Sequence, residues 1–311
     1  MAVLRRRSGG SGSSQDDHLP FLTVAEADRV RFLVRQAFAE LGRKVVVHAG
    51  HVRDDHGDEF GLWNVAAACR QEPQGEPAWA LVVAEYARKL LAHVESRDLD
   101  GLTPEEAQSR TYAKLFPADD LPSGEGLSYL REPVPGLVES LVLDFPDAVS
   151  WLRDSEVERF GGLTVLRAAG LANLRALPVE QRRHIATPDG GSFEVLLGKS
   201  VYTASRVLVM PDLLTQMLGP VDTSHGVLAA MAARNQVAIH VISGRSVGQV
   251  LRQMAHFALA GFGDGVGPLS PNVFWWRDGA WAQISQVESD GTISVLPNPD
   301  LIHMIQQLDG W

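Results

Sequence analysis

The sequence predicts an α+β fold in which amphipathic helices pack on mixed or antiparallel sheets. Apolar residues recur at helical spacing in several segments, and short β-branched or aromatic runs bounded by turn residues separate these segments. The predicted strands are mostly joined by hairpins, without the regular strand–helix–strand rhythm of a parallel fold. The chain has 311 residues, of which 45% are hydrophobic, so it can bury a sizeable core.

The chain divides into four predicted regions. Residues 1–19 combine three consecutive arginines with a glycine–serine run, which predicts a disordered basic tail. Residues 20–116 form an N-terminal α+β region. Residues 117–136 are rich in proline and glycine and are interpreted as a linker, although an ordered crossover within one domain has the same composition. Residues 137–311 form a C-terminal α+β domain.

Capping signals mark the start of two predicted helices. Thr23 and Glu26 have the spacing of a capping box, and Thr103 and Glu106 repeat it with a proline at the first helical position. The remaining helices are predicted from apolar residues at three- and four-residue spacing. The segments predicted to be helical by that spacing are 23–41, 65–69, 77–94, 163–177, 211–218, 246–261 and 299–308.

The predicted strands are rich in β-branched and aromatic residues and end at turn residues. They cover 44–52, 59–62, 110–116, 138–145, 193–197, 227–233, 236–242, 273–276, 280–285 and 292–296. Arg234 and Asn235 join one predicted hairpin, where asparagine tolerates the left-handed conformation. Asp278 and Gly279 join another.

Charge and cysteine content limit the possible partners and compartment. The formal charge is −10, from 28 basic and 38 acidic side chains, which argues against nucleic acid or an anionic membrane as a partner. The sequence has no apolar run long enough to span a membrane. The single cysteine, Cys69, excludes an intrachain disulfide and favours the cytoplasm, and it is interpreted as a buried hydrophobe. Arginine far outnumbers lysine, as in proteins from GC-rich bacterial genomes.

Several short motifs occur in a characteristic order. Asn-Leu-Arg at 173–175 precedes Ala-Ser-Arg at 204–206, Leu-Arg-Gln at 251–253 and Phe-Trp-Trp at 274–276. In order and spacing these motifs resemble the YtpQ-like family of uncharacterised bacterial cytosolic proteins, over roughly residues 137–285. The resemblance implies no activity.

The same motifs single out residues that are candidates for ligand binding. They are Asn173, Arg175, Tyr202, Ser205 and Arg206. A guanidinium group suits carboxylates and phosphates, so the two arginines suggest a site for a small anionic ligand. Alternatively, each arginine holds a carboxylate, for which Asp144, Asp147 and Asp212 are available, or the carbonyl groups of a helix end.

Three tryptophans flank the predicted Asp-Gly hairpin and are candidates for protein contacts. They are Trp275, Trp276 and Trp281. Adjacent residues in a strand face opposite sides, so one of the first two is expected near the surface. Exposed aromatic residues favour protein–protein contacts, although the rim of the core explains them equally well.

Histidines suggest two further sites. If 44–52 is one strand, His48 and His51 face opposite sides, which leaves His51 and His56 with a carboxylate as possible metal ligands; a solvated hairpin tip explains the same composition. His225, His240 and His256 include a possible general base for Ser205 or Tyr202, but no spacing requires it. We therefore predict no metal site, no catalytic residues and no cofactor.

The leading functional hypothesis is a non-catalytic binding or accessory protein that contacts an unknown protein partner. The alternative is an enzyme or receptor for a small anionic ligand at Arg175 and Arg206. A homodimer joined by its hairpins is a third possibility. Substitution of Arg206 separates the first two, because a structural arginine affects stability and a ligand site affects binding.

Overall fold

The computed structural model describes residues 14–309 except 17, 20, 55–58, 96–98, 100, 122–125, 146–147, 189, 245, 265–266 and 289. These residues form helices and antiparallel sheets joined by turns and loops, which confirms the predicted α+β class. The chain separates into two compact units, one up to Leu91 and one from Ala92 onwards.

The N-terminal unit packs helices against a small antiparallel sheet of strand order β1-β2-β3. Its elements are α1 (Val24–Glu40), β1 (Val45–Val47), β2 (His51–Asp54), β3 (Glu59–Gly61), α2 (Trp63–Gln71) and α3 (Trp79–Glu95), and α3 runs past the unit boundary. The apolar stripes of the helices meet in one core. The predicted capping box is confirmed, because Thr23 N donates to Glu26 Oε2 at 2.8 Å and Glu26 N donates to Thr23 Oγ1.

The end of the predicted N-terminal tail belongs to this unit. Residues up to 13 lie outside the described residues. Leu19, however, is fully buried in the core. Both Asp16 carboxylate oxygens accept hydrogen bonds from the Arg31 guanidinium at 2.8 Å, and that ion pair lowers the pKa of Asp16. The segment just before α1 is therefore fastened to the helix.

The predicted single strand over 44–52 is wrong. The structure divides it into β1 and β2, which pair with each other around a turn. His48 N donates to His51 O at 2.8 Å across this turn. The two imidazole rings consequently stack with centroids 4.4 Å apart, instead of facing opposite sides.

The C-terminal unit contains two larger sheets with helices packed on them. Its helices are α4 (Pro104–Arg110), α5 (Asp154–Arg159), α6 (Leu163–Ala176), α7 (Met210–Leu218), α8 (Val247–Asp264) and α9 (Pro299–Asp309). Its strands are β4 (Thr111–Pro117), β5 (Arg131–Val134), β6 (Leu137–Phe145), β7 (Ala148–Trp151), β8 (Gln181–Ala186), β9 (Ser192–Leu197), β10 (Val227–Ala233), β11 (Gln236–Val241), β12 (Val273–Arg277), β13 (Ala280–Gln283), β14 (Ser285–Val287) and β15 (Ile293–Val295).

The smaller of these sheets is built around β6. Strand β4 pairs along one side of β6, and β5 and β7 share the other side. The predicted linker 117–136 lies between β4 and β6 in sequence. Because β4 and β6 pair directly across this stretch, 117–136 lies inside the second compact unit, and the two units divide at Leu91.

The larger sheet has the strand order β13-β12-β10-β11-β9-β8. The predicted hairpin β10–β11 lies in the middle of this sheet, where β10 also pairs with β12 and β11 also pairs with β9. Asn235 in its turn does not have a positive φ; among the described non-glycine residues only Asp278 does. At one edge, β8 pairs with β9 alone among the described strands, and all of its residues are exposed.

Helix α6 lies unusually close to β4 because of a glycine. A Cβ atom added to Gly170 would lie 2.7 Å from Ala113 N and 3.0 Å from Tyr112 C, both backbone atoms. Replacing Gly170 by alanine is therefore expected to lower the free energy of unfolding by about 1–3 kcal/mol, because the helix must move off the sheet. Urea denaturation measures this change.

Gly248 in α8 is the matched control for this substitution. A Cβ atom added to Gly248 would have no other atom within 4 Å. Gly248→Ala is expected to leave stability unchanged or to raise it by up to about 1 kcal/mol, since alanine favours helix. Equal effects of the two substitutions would contradict the close packing of α6 on β4.

Candidate functional site

Two neighbouring tryptophans lie on opposite faces of β12. The strand is joined to β13 by Asp278 and Gly279, whose φ values of 50° and 83° form the tight turn that Asp-Gly predicts. Trp276 lies directly opposite Trp281 in the hairpin. Because side chains alternate along a strand, these two share one face and Trp275 lies on the other, which confirms the predicted alternation.

The three indole rings differ in burial. Trp275 is 6% exposed and packs in the core beneath α8, and its Nε1 donates a hydrogen bond to His225 O at 3.1 Å. Trp276 and Trp281 are half-buried and pack on the core that contains α7. All three rings thus contribute to packing, and part of the Trp276–Trp281 pair faces the solvent.

A surface groove of about 760 Å³ runs between the β12–β13 hairpin, the turn before β10 and helix α9. We call it the tryptophan groove. Its main lining residues are His225, Trp275, Arg277, Trp281, His303 and Met304, with smaller polar side chains and alanines between them. Helix α9 contributes residues 300, 303, 304 and 307, which lie on one face of a helix. None of the α9 residues was a candidate in the sequence analysis.

The groove combines an apolar floor with polar groups. Trp275 and Met304 are buried. Around them lie two imidazoles, a guanidinium and the carboxylates of Asp278 and Asp300. The Arg277 guanidinium carbon lies 5.8 Å from the Trp275 ring centroid, a cation–π distance. Tryptophan, arginine and methionine, which line this groove, are enriched in protein interfaces, whereas serine, aspartate and alanine, which also line it, are depleted.

The structure links the two candidate arginines through a glutamine. Arg206 is 2% exposed, and its guanidinium donates to Pro178 O at 3.0 Å and to Gln216 Oε1. Gln216 Nε2 in turn donates to Arg175 O at 2.8 Å. Burial lowers the pKa of Arg206. This arginine therefore fastens the carbonyl groups at the end of α6, one of the structural roles that the sequence suggests for it.

The Arg175 side chain forms an ion pair near the surface and does not contact Arg206 through its guanidinium group. Its Nε donates to Asp212 Oδ2 at 2.9 Å, in an ion pair whose two side chains are 47% and 45% exposed. Asp212 is one of the carboxylates that the sequence suggested as a partner for an arginine. Asp147, another of these carboxylates, lies outside the described residues. The guanidinium groups of Arg175 and Arg206 both have protein partners, and their role in ligand binding stays a prediction.

The other three candidates also contact protein groups. The Asn173 side-chain amide donates to three carbonyls, those of Gln108, Ser109 and Thr111, at 3.1, 3.2 and 2.8 Å. These bonds fasten the α4–β4 junction to α6. Ser205 Oγ accepts a hydrogen bond from Leu115 N at 3.0 Å.

Tyr202 forms a buried pair with another tyrosine. Its hydroxyl donates to Asp144 Oδ1 at 2.7 Å, and its ring stacks on that of Tyr112 with centroids 4.1 Å apart. Burial and the neighbouring Asp144 carboxylate raise the pKa of Tyr202 well above its usual range. The phenol therefore stays protonated and holds the chain after β9 against β6.

Replacing Arg206 by methionine is expected to lower the free energy of unfolding by about 1–3 kcal/mol, because buried carbonyl and amide groups lose their donor. Arg175→Met, at an exposed ion pair, is expected to cost less than about 1 kcal/mol. Thermal and urea denaturation check both values. If Arg206→Met left stability unchanged, the structural role of this guanidinium would be excluded.

Among the described residues, the histidines do not form a metal-binding cluster. His56 lies outside the described residues, and within the described part of the chain no group of three or more His, Cys, Asp or Glu side chains could hold a metal ion. His240 Nδ1 lies 2.7 Å from Ser192 O, and burial lowers its pKa. Burial raises the pKa of Cys69 to about 12, which disfavours the reactive thiolate.

Two buried charged residues escaped the sequence analysis. Glu139 in β6 is fully buried between two arginines: Arg131 Nε lies 2.9 Å from Oε2, and Arg167 Nε lies 2.7 Å from Oε1. Lys114 in β4 is 6% exposed, with Nζ 4.0 Å from the Phe116 ring centroid. Alternation along β4 puts Lys114 on the same face as Tyr112 and Phe116. The sequence near Lys114 does not indicate that other elements cover this face and bury the lysine.

Within the described residues, no helix is both long and apolar enough to cross a membrane. Comparison of the chain with family models, with curated proteins and with solved structures gives no match.

Proposed function

We propose that the chain is a non-catalytic binding protein whose tryptophan groove accepts an extended segment of a partner protein. The supporting observation is the groove itself, about 760 Å³ in volume and floored by Trp275 and Met304. Protein interfaces have the same anatomy, an apolar centre within a polar rim.

The partner segment is expected to place an apolar or aromatic side chain on this floor. Such buried aromatic anchors carry most of the binding energy in protein interfaces. His225, Arg277 and His303 then offer polar contacts to its backbone or flanking side chains. No cofactor is needed for this role. The alternative anion site receives less support, because Arg175 and Arg206 already bond to Asp212 and to helix-end groups.

We further place the protein in the cytoplasm of a bacterium, as a relative of the YtpQ-like proteins. The single cysteine supports the cytoplasmic location, since a buried thiol suits a reducing compartment. The proposed relation to the YtpQ-like proteins rests on the order of the motifs alone.

Blocking the groove tests the proposed function. Ala280 is exposed and lines the groove, so Ala280→Arg fills it without removing a core contact. A random peptide library displayed on phage is selected on the wild-type chain, and the affinity of the enriched peptides is then measured by fluorescence anisotropy. We expect Ala280→Arg to weaken their binding at least about tenfold, which corresponds to about 1.4 kcal/mol.

Ala172→Arg is the matched control, because Ala172 lies on α6 in the same unit, is not part of the buried face of that helix and lies outside the groove. It is expected to leave peptide affinity unchanged. Enriched peptides that bound both variants as well as the wild type would refute the groove as the binding site. Enrichment of no peptide at all would count against a protein segment as its occupant.

A further inference from the structure

Strand β8 forms an open edge of the larger sheet. It pairs with β9 alone among the described strands, and all of its residues are exposed. Edge strands are usually blunted by prolines, bulges or short length. Strand β8 contains no proline, and its register with β9 runs from Gln181 to Ala186 without a shift. The edge therefore keeps the geometry that a further strand needs for pairing.

The register shows which backbone groups of β8 face away from the sheet. Thr187 N donates to Gly191 O at 2.7 Å, one step beyond the last β8–β9 pair. Hydrogen-bonded and non-hydrogen-bonded pairs alternate along an antiparallel ladder, so the odd-numbered residues of β8 bond to β9. The N–H and C=O groups of Arg182, His184 and Ala186 consequently face outward.

Pairing on the other side of β9 agrees with this assignment. Gly198 N donates to Asn235 O at 2.9 Å, in register with the β9–β11 ladder. The even-numbered residues of β9 thus bond to β11, and its odd-numbered residues bond to β8. Among the described residues, the outward backbone groups of β8 have no hydrogen-bond partner. They form a row of donors and acceptors along the edge.

The side chains of β8 carry positive charge in an otherwise acidic chain. The formal charge of the chain is −10, yet β8 contains Arg182, Arg183 and His184 and no acidic residue. Glu194 of β9 lies 2.7 Å from Arg182 and 2.6 Å from His184, and it balances one guanidinium. Arg183, on the opposite face, contacts the side-chain amide of Gln181 at 3.2 Å and has no carboxylate partner among the described residues.

We propose that the β8 edge is a second docking site, at which an extended acidic segment of a partner protein adds a strand to the larger sheet. The outward N–H and C=O groups supply the backbone hydrogen bonds, and the side chains select among segments that can form them. Opposite charges on neighbouring strands stabilise pairing, whereas like charges destabilise it. The edge lies outside the tryptophan groove, so this inference does not depend on the proposed function.

Two short peptides test this inference on the full chain, one of alternating glutamate and valine and one of alternating lysine and valine. Fluorescence anisotropy of the dye-labelled peptides measures their affinities. We expect the glutamate peptide to bind at least about tenfold more tightly, because its side chains attract the β8 arginines. General attraction to a chain of charge −10 favours the lysine peptide instead, so the expected order identifies a local site. Hydrogen exchange should show new protection at the amides of Arg182 and His184.

His184→Pro is the decisive variant. Proline lacks an N–H group, and the N–H of residue 184 faces outward and makes no bond to β9. The variant should therefore keep the thermal midpoint of the wild type and bind the glutamate peptide at least about tenfold more weakly. His184→Ala is the matched control, because it removes the imidazole and keeps the N–H. It should bind the peptide as the wild type does.

Arg183→Glu provides a second test that does not alter the backbone. It reverses the charge of an exposed side chain and should weaken binding of the glutamate peptide and strengthen binding of the lysine peptide. Tighter binding of the lysine peptide by the wild type, or no binding of the glutamate peptide at millimolar concentration, overturns the proposal. Unchanged binding by both His184→Pro and Arg183→Glu does so too. A dimer of the chain alone that His184→Pro dissociates in sedimentation also overturns it, because a second copy then occupies the edge.

Discussion

Replacing Glu139 by glutamine is expected to lower the free energy of unfolding by about 2–3 kcal/mol, because the change removes the buried carboxylate that two partly exposed arginines share. Its carboxylate is fully buried and shared by Arg131 and Arg167. An amide of the same shape turns an NH₂ group toward these donors. At least one guanidinium then loses its buried acceptor, although the Arg131 and Arg167 side chains are 48% and 22% exposed and water replaces part of the lost interaction. Urea denaturation measures the loss.

Asp212→Asn is the matched control, with the same change from carboxylate to amide. Its partner Arg175 lies at a similar distance, 2.9 Å, but both side chains are nearly half exposed. Exposed ion pairs contribute less than about 1 kcal/mol. If the two variants lost equal stability, Glu139 would not be the centre of a structural network.

Replacing Lys114 by methionine is expected to raise the free energy of unfolding by about 2–5 kcal/mol at pH 7 and below. The pKa of Lys114 is lowered from 10.5 to about 7, first by burial and second by Arg234. Each pKa unit corresponds to about 1.4 kcal/mol that the protonated form loses on folding. Methionine has a similar length and no charge, so it fills the same space without this penalty.

The gain should depend on pH in a defined window. Below pH 7 the lysine is protonated in both folded and unfolded chains, so the full penalty is present. Between pH 7 and about 10 the unfolded chain holds the proton and the folded chain does not, so the free energy of unfolding of the wild type rises with pH. The advantage of methionine shrinks accordingly, toward the penalty that remains for burying the neutral amine. Denaturation at pH 6, 8 and 10, with exposed Lys199→Met as control, measures this trend. A difference that stayed constant with pH would contradict the low pKa of Lys114.

Local signals predicted much of the fold. The capping boxes at Thr23 and Thr103, the apolar stripe of α8 and the Asp278–Gly279 hairpin all depend on residues close together in sequence, and all are present in the structure. Strand β8 was missed, because its Gln-Arg-Arg-His composition has neither the alternation nor the apolar content of a half-buried strand. It forms because β9 offers it a pairing edge.

The candidate site was predictable only in part. Alternation placed Trp275 and Trp276 on opposite faces, which the structure confirms. The approach of α9 to that hairpin depends on the path of the chain after β15, which periodicity does not reveal. Burial of Glu139 and Lys114 was equally hidden, since each lies in a strand where its position is compatible with a solvent face. Whether a face is covered depends on segments distant in sequence.

The open edge formed by β8 bears on how copies of the chain behave at high concentration. An exposed edge strand can act as a template for the same strand of another molecule, and continued pairing of this kind leads to aggregation. Arg182 and Arg183 lie in the middle of β8. These two side chains lie on opposite faces of the strand, and Arg182 pairs with Glu194 at 2.7 Å. Antiparallel pairing of two copies at this point therefore brings the two Arg183 side chains to one face, and their repulsion opposes association at low salt. Because added salt shortens the range of that repulsion, the edge loses part of its protection in concentrated salt solutions.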